Sequence, residues 1–238
     1  MIEGILREIS CTEPSALRAY LGGASRDCTY NSMHRTFRFT QKDRDWLLVL
    51  QAALSRLGSS SWIYREGARV VWALETSFEP EAIPSYLSLT MASPWARGYF
   101  DAEGGCPYHP SARFYVQLAQ KNKEDLCLLR DTLERLNIRC GRLHNPSQRV
   151  DPHYWRFFVR ARSHRDFAQI VDSWHPRKRM ILRARLSTQA PEAAAFVASK
   201  NGEWVNWRGA AGAPSSFVSS SAHNPGANVG GTGSPPVG

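Results

Sequence analysis

The hydrophobic positions of this chain form two stripes that have the same internal spacing. Each stripe is a set of leucines at a 3-4-3 spacing, which places all of them on one face of an amphipathic helix. They are Leu47, Leu50, Leu54 and Leu57 in the first stripe, and Leu126, Leu129, Leu133 and Leu136 in the second. The pattern predicts two matching helices, over residues 42–57 and 122–136.

The segments around the two stripes repeat as well. Gln41-Lys42 precedes the first stripe and Gln120-Lys121 precedes the second, and Phe37 alternates with polar neighbours as strand residues do. Each copy predicts the order helix, strand, strand, helix, strand, strand, helix, which indicates an internal duplication. The segments are 14–27, 28–34, 35–40, 42–57, 60–66, 68–76 and 79–90 in the first copy, and 94–104, 105–112, 113–119, 122–136, 139–145, 153–162, 164–173 and 177–187 in the second.

This order predicts an α+β fold of two pseudo-symmetric αββαββα half-domains, each with one antiparallel sheet and its helices on one face. We place the half-domains at 12–92 and 93–188, after an N-terminal extension of residues 1–11. Residues 189–238 are expected to form a flexible low-complexity tail. The reason is that residues 209–238 are rich in Gly, Ala, Pro and Ser and contain no Asp, Glu, Lys or Arg.

Net charge indicates the class of partner. The chain carries a formal charge of +9 at pH 7, and a basic folded protein favours a polyanion, with nucleic acid first. Cysteine residues without a CxxC pair indicate reduced thiols in an intracellular protein. No apolar run approaches the ~20 residues that span a bilayer, and no signal-peptide pattern is present, so neither membrane association nor secretion is expected.

Basic and aromatic residues interleave on two predicted strands, 35–40 and 154–162. One face of each sheet would pack on helices while the other presents basic and polar groups, and such a saddle fits the major groove of DNA. The candidate base or phosphate contacts are Arg38, Arg65, Arg69, Gln117, Arg142, His144 and Arg156.

The segment Trp95–Gly105 combines a bare helix face with a carboxylate at the helix end. Gly98 and Ala102 share one face, so a second helix could approach that face closely. Glu103 falls in the last turn, where Gly104 can end the helix. A carboxylate is unfavourable at the negative end of a helix dipole, and a divalent cation would offset that cost.

This segment resembles the signature of the LAGLIDADG homing endonucleases. Glu103 falls on the metal-binding acid of the motif, Gly98 on its helix-contact glycine and Asp101 on its inner aspartate. The repeated order of elements is also that of the LAGLIDADG half-domain, and the resemblance covers roughly residues 12–187. It implies a monomer with internal pseudo-twofold symmetry, in which the two motif helices pack along their small faces and bring two acids together.

The partner motif in the first half leaves its acid open. If Gly22 is the motif glycine, Asp27 is the metal acid; if Gly23 is, Cys28 takes the position of the acid. We favour the first alignment because it preserves a carboxylate. In either alignment Arg26 or Ser25 stands where the family has its inner aspartate.

The resemblance also implies roles for three further residues. Gln41 and Gln120 fall on a polar residue that the family keeps near the scissile phosphate, and Lys178 falls on its basic residue beside the active centre. Residues 77–82 of the first half contain no such cation. The first half-site therefore looks eroded, and the protein would nick one strand, cleave slowly or only bind.

These observations together predict a site-specific DNA endonuclease of the kind that serves intron or intein mobility. The resemblance implies that Glu103 and Asp27 hold Mg²⁺ and that a metal-activated water attacks the phosphodiester of double-stranded DNA. The alternatives are a DNA-binding protein that has lost cleavage, a splicing maturase that binds intron RNA, and a structural domain with a basic surface. A zinc hydrolase, a nucleotide-binding site and a serine hydrolase find no motif in the chain.

Overall fold

The computed structural model describes residues 1–67, 70–81, 88–109, 112–187, 195–198 and 204–207. The first half contains α1 (Ile2–Cys11), α2 (Pro14–Ala24), β1 (Cys28–Asn31), β2 (Thr36–Gln41), α3 (Arg44–Arg56), β3 (Ser61–Arg65) and β4 (Trp72–Thr76). The second contains α4 (Leu89–Glu103), β5 (Gly104–Gly105), β6 (Gln117–Gln120), α5 (Lys123–Arg135), β7 (Trp155–Phe158), α6 (His164–Asp166) and α7 (Pro176–Ser187). The predicted α+β class, with two antiparallel sheets, is confirmed.

The two leucine stripes form the helices α3 and α5, as predicted, and the same local chemistry delimits both. Asp43 and Asn122 are the N-cap residues, and their side chains accept hydrogen bonds from the backbone N–H groups of Asp45 and Asp125. Each helix ends at an arginine, which is favourable at the negative end of the helix dipole. The first three leucines of each stripe are buried in the core of their own half.

The two sheets are related but unequal. The first has four strands in the order β1-β2-β4-β3, and the second has three in the order β5-β6-β7. The strand predicted at 139–145 is reduced to isolated bridges, from Cys140 to Val159 and from His144 to Arg156. The backbone N–H of Gly141 also donates to the carbonyl of Phe158 at 2.7 Å. This edge of the second sheet is therefore irregular.

Helices α2 and α4 pack closely through two glycines. A Cβ atom at Gly23 would overlap the carbonyl oxygen of Trp95, and one at Gly98 would overlap the carbonyl oxygen of Tyr20. At Gly22 the nearest atom would lie 3.9 Å away. Gly23 and Gly98 are thus the contact glycines, and the preference for Gly22 as the motif glycine is wrong. Ala102, as expected, packs against the core of the first half.

Helix α1 was not predicted. It lies in the segment that we treated as an extension, and its Ile5 and Ile9 are fully buried against the first half. Glu8 on α1 accepts hydrogen bonds from the Nε1 of Trp174, at 3.2 Å, and from Arg179, at 2.6 Å. The helix therefore ties the first half to the segment around α7.

Two further differences concern the ends of predicted segments. Helix α4 begins at Leu89 rather than at Pro94, since Pro94 is accommodated inside it. Strands β8 (Ala195–Ala198) and β9 (Trp204–Trp207) pair antiparallel within the segment expected to be a flexible tail. The closing helix predicted at 79–90 and the remainder of the tail fall largely outside the described residues. Within the described residues, no helix combines the length and the apolar character needed to cross a membrane.

Candidate active centre and nucleic-acid interface

Two carboxylates lie at the same end of the packed helices. Glu103 is the last residue of α4, and Asp27 ends a 3-10 turn, Ser25–Asp27, that continues α2 and contacts α4. The pKa of Glu103 is raised to about 7, chiefly by burial and then by the charge of Asp27. Burial also raises the pKa of Asp27. The two acids therefore interact electrostatically in a partly desolvated place.

Each acid is held by the glutamine of its own half. The Nε2 of Gln120 donates to Oε1 of Glu103 at 2.8 Å, and the Nε2 of Gln41 donates to Oδ2 of Asp27. Gln41 is the last residue of β2 and Gln120 the last of β6, so the two sheets deliver them in the same way. The structure thus brings these four residues, singled out in the sequence, into one pseudo-symmetric arrangement.

The 3-10 turn explains why neither alignment of the first motif was complete. Asp27 follows the contact residue Gly23 by one residue fewer than Glu103 follows Gly98. A residue rises about 2.0 Å in a 3-10 helix and about 1.5 Å in an α-helix, so the shorter segment reaches about as far. Gly23 makes the helix contact, as in the second alignment, whereas Asp27 rather than Cys28 lies opposite Glu103, as in the first alignment. Cys28 is the first residue of β1.

Lys178 is buried against the last turn of α4 rather than exposed to solvent. Its Nζ donates to the carbonyl oxygens of Phe100, at 2.8 Å, and Asp101, at 2.7 Å, in the last turn of α4. An ammonium group is favourable at these C-terminal carbonyls, of which that of Phe100 also accepts from the backbone N–H of Gly104. Burial lowers its pKa to about 8. Its charge lowers the pKa values of Asp27 and Glu103 and so favours their ionised forms.

Asp101, the inner aspartate of the second motif, has a structural position. It is 1% exposed and accepts hydrogen bonds from the hydroxyl of Tyr20 at 2.8 Å and from the backbone N–H of Trp174 at 2.8 Å. The hydroxyl of Ser173 and the backbone N–H of His175 donate to it as well. Asp101 therefore ties α4 to α2 and to the loop that places Lys178.

Arg26 is a feature of the centre to which the sequence assigned no role. Its Nη1 lies 2.8 Å from Oδ2 of Asp125, in the first turn of α5, so it links the first half to the second. Its positive charge lowers the pKa of Glu103. It also lines a pocket of about 400 Å³ that Gln120 borders. The only sequence signal was a basic residue immediately before the candidate acid.

The open face of the first sheet carries carboxylates together with the predicted arginine. Arg38 on β2 pairs in register with Glu75 on β4, and its Nη2 lies 2.8 Å from Oε1 of Glu66. Glu75, which is buried, accepts hydrogen bonds from Tyr64 at 2.6 Å and Thr36 at 3.0 Å. These partners lower the pKa of Glu75, so it is held as an anion. Arg38 is therefore internally paired.

On the open face of the second sheet, the residues that the structure describes show no such pairing with a carboxylate. The Nε of Arg156 donates to Nε2 of His144 at 3.3 Å, and its guanidinium lies 5.3 Å from the ring centroid of Phe158. Gln117 donates to the hydroxyl of Tyr154 at 3.3 Å. Neither β6 nor β7 contains a carboxylate. Arginine, histidine and amide groups thus stand together on this face.

Three of the predicted DNA contacts, Arg65, Arg142 and Arg69, are not placed on the open face of a sheet by the described residues. Arg65 and Ile63 lie two residues apart on β3 and therefore point to the same, helix-facing side of the first sheet. The prediction that Arg65 belongs to the open face is thus wrong. It is exposed at the strand end. Arg142 is exposed beside the irregular edge of the second sheet. Arg69 lies outside the described residues.

The residues at the centre suit a hard divalent cation. The two acids offer oxygen ligands, and a cation would offset the burial and the charge of Asp27 that together raise the pKa of Glu103. Within the described part of the chain, no group of three or more His, Cys, Asp or Glu side chains is placed to hold a metal ion. Two carboxylates together with water and phosphate oxygens form an ordinary Mg²⁺ site, so the donor set fits.

This architecture is shared with solved LAGLIDADG structures. No protein-family model matches the chain, and no curated protein matches it. The N-terminal LAGLIDADG domain of DUF199/WhiA matches with a TM-score of 0.56 and 14% identity, covering 72% of this chain and 89% of that one. I-DmoI in complex with DNA and Mn matches at 0.50 and 17%, covering 67% and 97%. Mesophilic variants from the homing endonuclease I-DmoI match at 0.53 and 17%, covering 73% and 100%. The chain has a LAGLIDADG-like fold.

Proposed function

We propose that this protein is a site-specific endonuclease that hydrolyses phosphodiester bonds of double-stranded DNA with Mg²⁺ or a similar divalent metal. The observation that carries the proposal is the pair of carboxylate–glutamine contacts, Glu103 with Gln120 and Asp27 with Gln41, at the joined ends of α2 and α4. A half-buried pair of like charges at a helix junction is unfavourable in itself, and a metal site gives it a chemical reason.

Asp27 and Glu103 would hold the metal between the half-domains, which we place at 12–92 and 93–188. The metal would activate a water for attack on the phosphorus and stabilise the charge that develops on the leaving oxygen. Gln41 and Gln120 fix the orientation of the two carboxylates. Lys178, fixed on the last carbonyls of α4, keeps a positive charge near both acids and so favours their ionised forms against the burial that raises their pKa values.

The DNA would lie across the open faces of the two sheets. A β-sheet of this kind can place side chains in the major groove, where bases are distinguished by their edges. The net charge of +9 favours binding to phosphates, and Arg156, His144 and Gln117 provide donors on the second sheet. Structures of I-DmoI with DNA and Mn support this assignment for a chain of the same fold.

A cleavage selection tests the proposal. The full-length protein is incubated with a randomised double-stranded DNA library and Mg²⁺, beside the variants Glu103→Gln and Asp27→Asn. We expect cleavage at a long defined site by the wild type and none by Glu103→Gln. We also expect Glu103→Gln to retain binding to that site in Ca²⁺, because binding rests on the sheets.

Glu124→Gln is the matched control for this selection. Glu124 is exposed on α5, so the same chemical change is made away from the centre and should leave cleavage intact. Cleavage by Glu103→Gln at the rate of the wild type would overturn the assignment of the active centre. Tighter binding of structured intron RNA than of any DNA would favour a splicing maturase instead.

A second candidate, a DNA-binding protein without cleavage, is favoured by Arg26. The guanidinium stands in the sequence position before the first-half acid, where the second half has Ala102, and its charge acts on Glu103. A fixed cation there competes electrostatically with a metal ion. In the same selection, this candidate predicts specific retention of DNA without cleavage. This candidate also predicts that Arg26→Ala lowers DNA affinity no more than a single Arg-to-Ala change on one of the sheets does.

A further inference from the structure

The exposed part of the first sheet presents an ion pair of defined geometry. Arg38 lies across the open face of the sheet from β2 towards Glu66, which follows β3. The two side chains are 26% and 32% exposed, and Nη2 of Arg38 lies 2.8 Å from Oε1 of Glu66. Part of a donor group and part of an acceptor group therefore remain accessible side by side.

The sheet holds this pair in place from below. The Nε of Arg38 lies 3.8 Å from Oε1 of the buried Glu75, and its guanidinium lies 5.9 Å from the ring centroid of Tyr64. Glu75 is itself fixed by hydrogen bonds from Tyr64 and Thr36. The backbone N–H of Glu66 donates to the carbonyl of Val71 at 2.9 Å, which fixes the other member of the pair. The side chains are thus preorganised rather than free in solvent.

We propose that the Arg38–Glu66 pair reads one G·C base pair in the major groove of the bound DNA. In line across this groove, a G·C pair presents the acceptor N7 and the acceptor O6 of guanine, and then the N4 amino donor of cytosine. The guanidinium of Arg38 supplies two donors for the guanine, and the carboxylate of Glu66 supplies the acceptor for the cytosine. This inference rests on the proposed binding of double-stranded DNA.

An A·T pair does not match the same row of groups. It presents an acceptor, a donor and an acceptor, followed by the thymine methyl group. The second donor of Arg38 would face the adenine amino group, and the carboxylate of Glu66 would face the thymine O4, so two of three contacts are repulsive. The ion pair also explains why Glu66 is tolerated on a DNA-facing surface, since Arg38 offsets its charge.

The test is a binding selection with the full-length protein, without cleavage, from a randomised duplex library in Ca²⁺. The variants are Arg38→Gln and Glu66→Gln, with Arg130→Gln on α5 as the matched control for an arginine in a surface ion pair. We expect one position of the wild-type site to require G·C. Both variants should relax that position by about tenfold or more and leave the other positions unchanged.

The outcomes separate this inference from the proposed function. Sequence-specific binding in which Arg38→Gln and Glu66→Gln leave every base preference unchanged would overturn the inference and leave the proposed function standing. Loss of preference at every position in one variant, together with a lowered thermal midpoint, would mean a structural role and would also overturn it. Glu66→Gln is a conservative change of a partly exposed group and guards against a folding defect. No binding to any DNA would overturn both.

Discussion

The two halves of this molecule share a framework but differ in the charges placed on it. Gly23 and Gly98 make equivalent contacts, and Gln41 and Gln120 hold equivalent acids. Around Glu103 the second half adds a buried aspartate and a lysine, whereas around Asp27 the first half has Ser25 and Arg26. Backbone packing and acid placement are thus alike in both halves, while the surrounding electrostatics are specific to each.

The sheets differ in the same sense. In the first, two carboxylates neutralise Arg38 on the open face; in the second, Arg156 and His144 stand without a carboxylate on β6 or β7. Opposing charges on one face favour discrimination between bases, and uncompensated positive charge favours phosphate binding. We therefore expect the second half to supply more of the affinity and the first half more of the selectivity.

The largest effect should come from removing one acid at a time. Glu103→Gln should lower cleavage by about 10³-fold or more, because a metal ligand contributes several kcal/mol to the transition state. Asp27→Asn should slow one strand more than the other, since each acid is held by its own half. The measurement is the conversion of supercoiled plasmid to nicked and linear forms. Equal slowing of both strands by Asp27→Asn would contradict the asymmetry.

The contact glycines provide the next largest effect. Gly23→Ala and Gly98→Ala should each lower the free energy of unfolding by about 3 kcal/mol, because a Cβ atom would overlap backbone of the facing helix. Gly22→Ala is the matched control, since its Cβ would meet nothing nearer than 3.9 Å. Alanine favours a helix over glycine by about 1 kcal/mol, so that variant should be as stable as the wild type or more stable. Urea denaturation measures all three, and equal losses at 22 and 23 would refute the packing.

The pH dependence of stability should report Glu103. Its pKa rises from 4.5 to about 7 in the folded protein, through burial and then the charge of Asp27. Between these values the folded state binds the proton and the unfolded state does not, so stability present at low pH is lost as pH rises through about 7. We expect a loss of about 1–2 kcal/mol in metal-free buffer, allowing for solvent screening.

Urea denaturation in EDTA between pH 4.5 and pH 8 tests this dependence. Glu103→Gln should reduce the slope but not abolish it, because burial also raises the pKa of other acids such as Asp27, and Glu124→Gln, an exposed control, should keep the full slope. Because a divalent metal favours the ionised carboxylate, adding Ca²⁺ should also flatten the slope. An unchanged slope in Glu103→Gln would show that another group is responsible.

The smallest effect concerns the salt dependence of DNA binding. Arg156→Gln should reduce the slope of log Kd against log salt concentration by about 1, because its charge is free to neutralise a phosphate. Arg38→Gln should change the slope by much less, because Glu66 and Glu75 already neutralise Arg38. Fluorescence anisotropy at several salt concentrations measures both. A larger change for Arg38→Gln would reverse the roles assigned to the two sheets.

How far the sequence could predict this structure depended on the kind of signal. The leucine stripes predicted α3 and α5 closely, because an amphipathic face is a direct consequence of spacing. Helix α1 precedes the repeat, so the repeated pattern did not predict it, although Ile5 and Ile9 have helical spacing. The strand at 139–145 was overestimated, since an edge segment with few bridges has the same composition as a regular strand.

The candidate site was predictable as a set of residues but not as a geometry. The choice between Gly22 and Gly23 depended on a 3-10 turn, which the periodicity of small residues does not encode. The pairing of Arg38 with Glu66 and Glu75 depended on the register of β2 with β4. Register follows from the folded sheet, so the sequence alone presented Arg38 as an unpaired contact.

The most direct measurement is the location of the metal. Crystals of the protein with its selected DNA duplex, grown with Mn²⁺, would show the ion by its anomalous scattering. We expect a peak coordinated by carboxylate oxygens of both Asp27 and Glu103 and by a phosphate oxygen of the DNA. A peak bound elsewhere, or bound DNA with no peak between the two acids, would contradict the assignment of this centre as a metal-dependent nuclease.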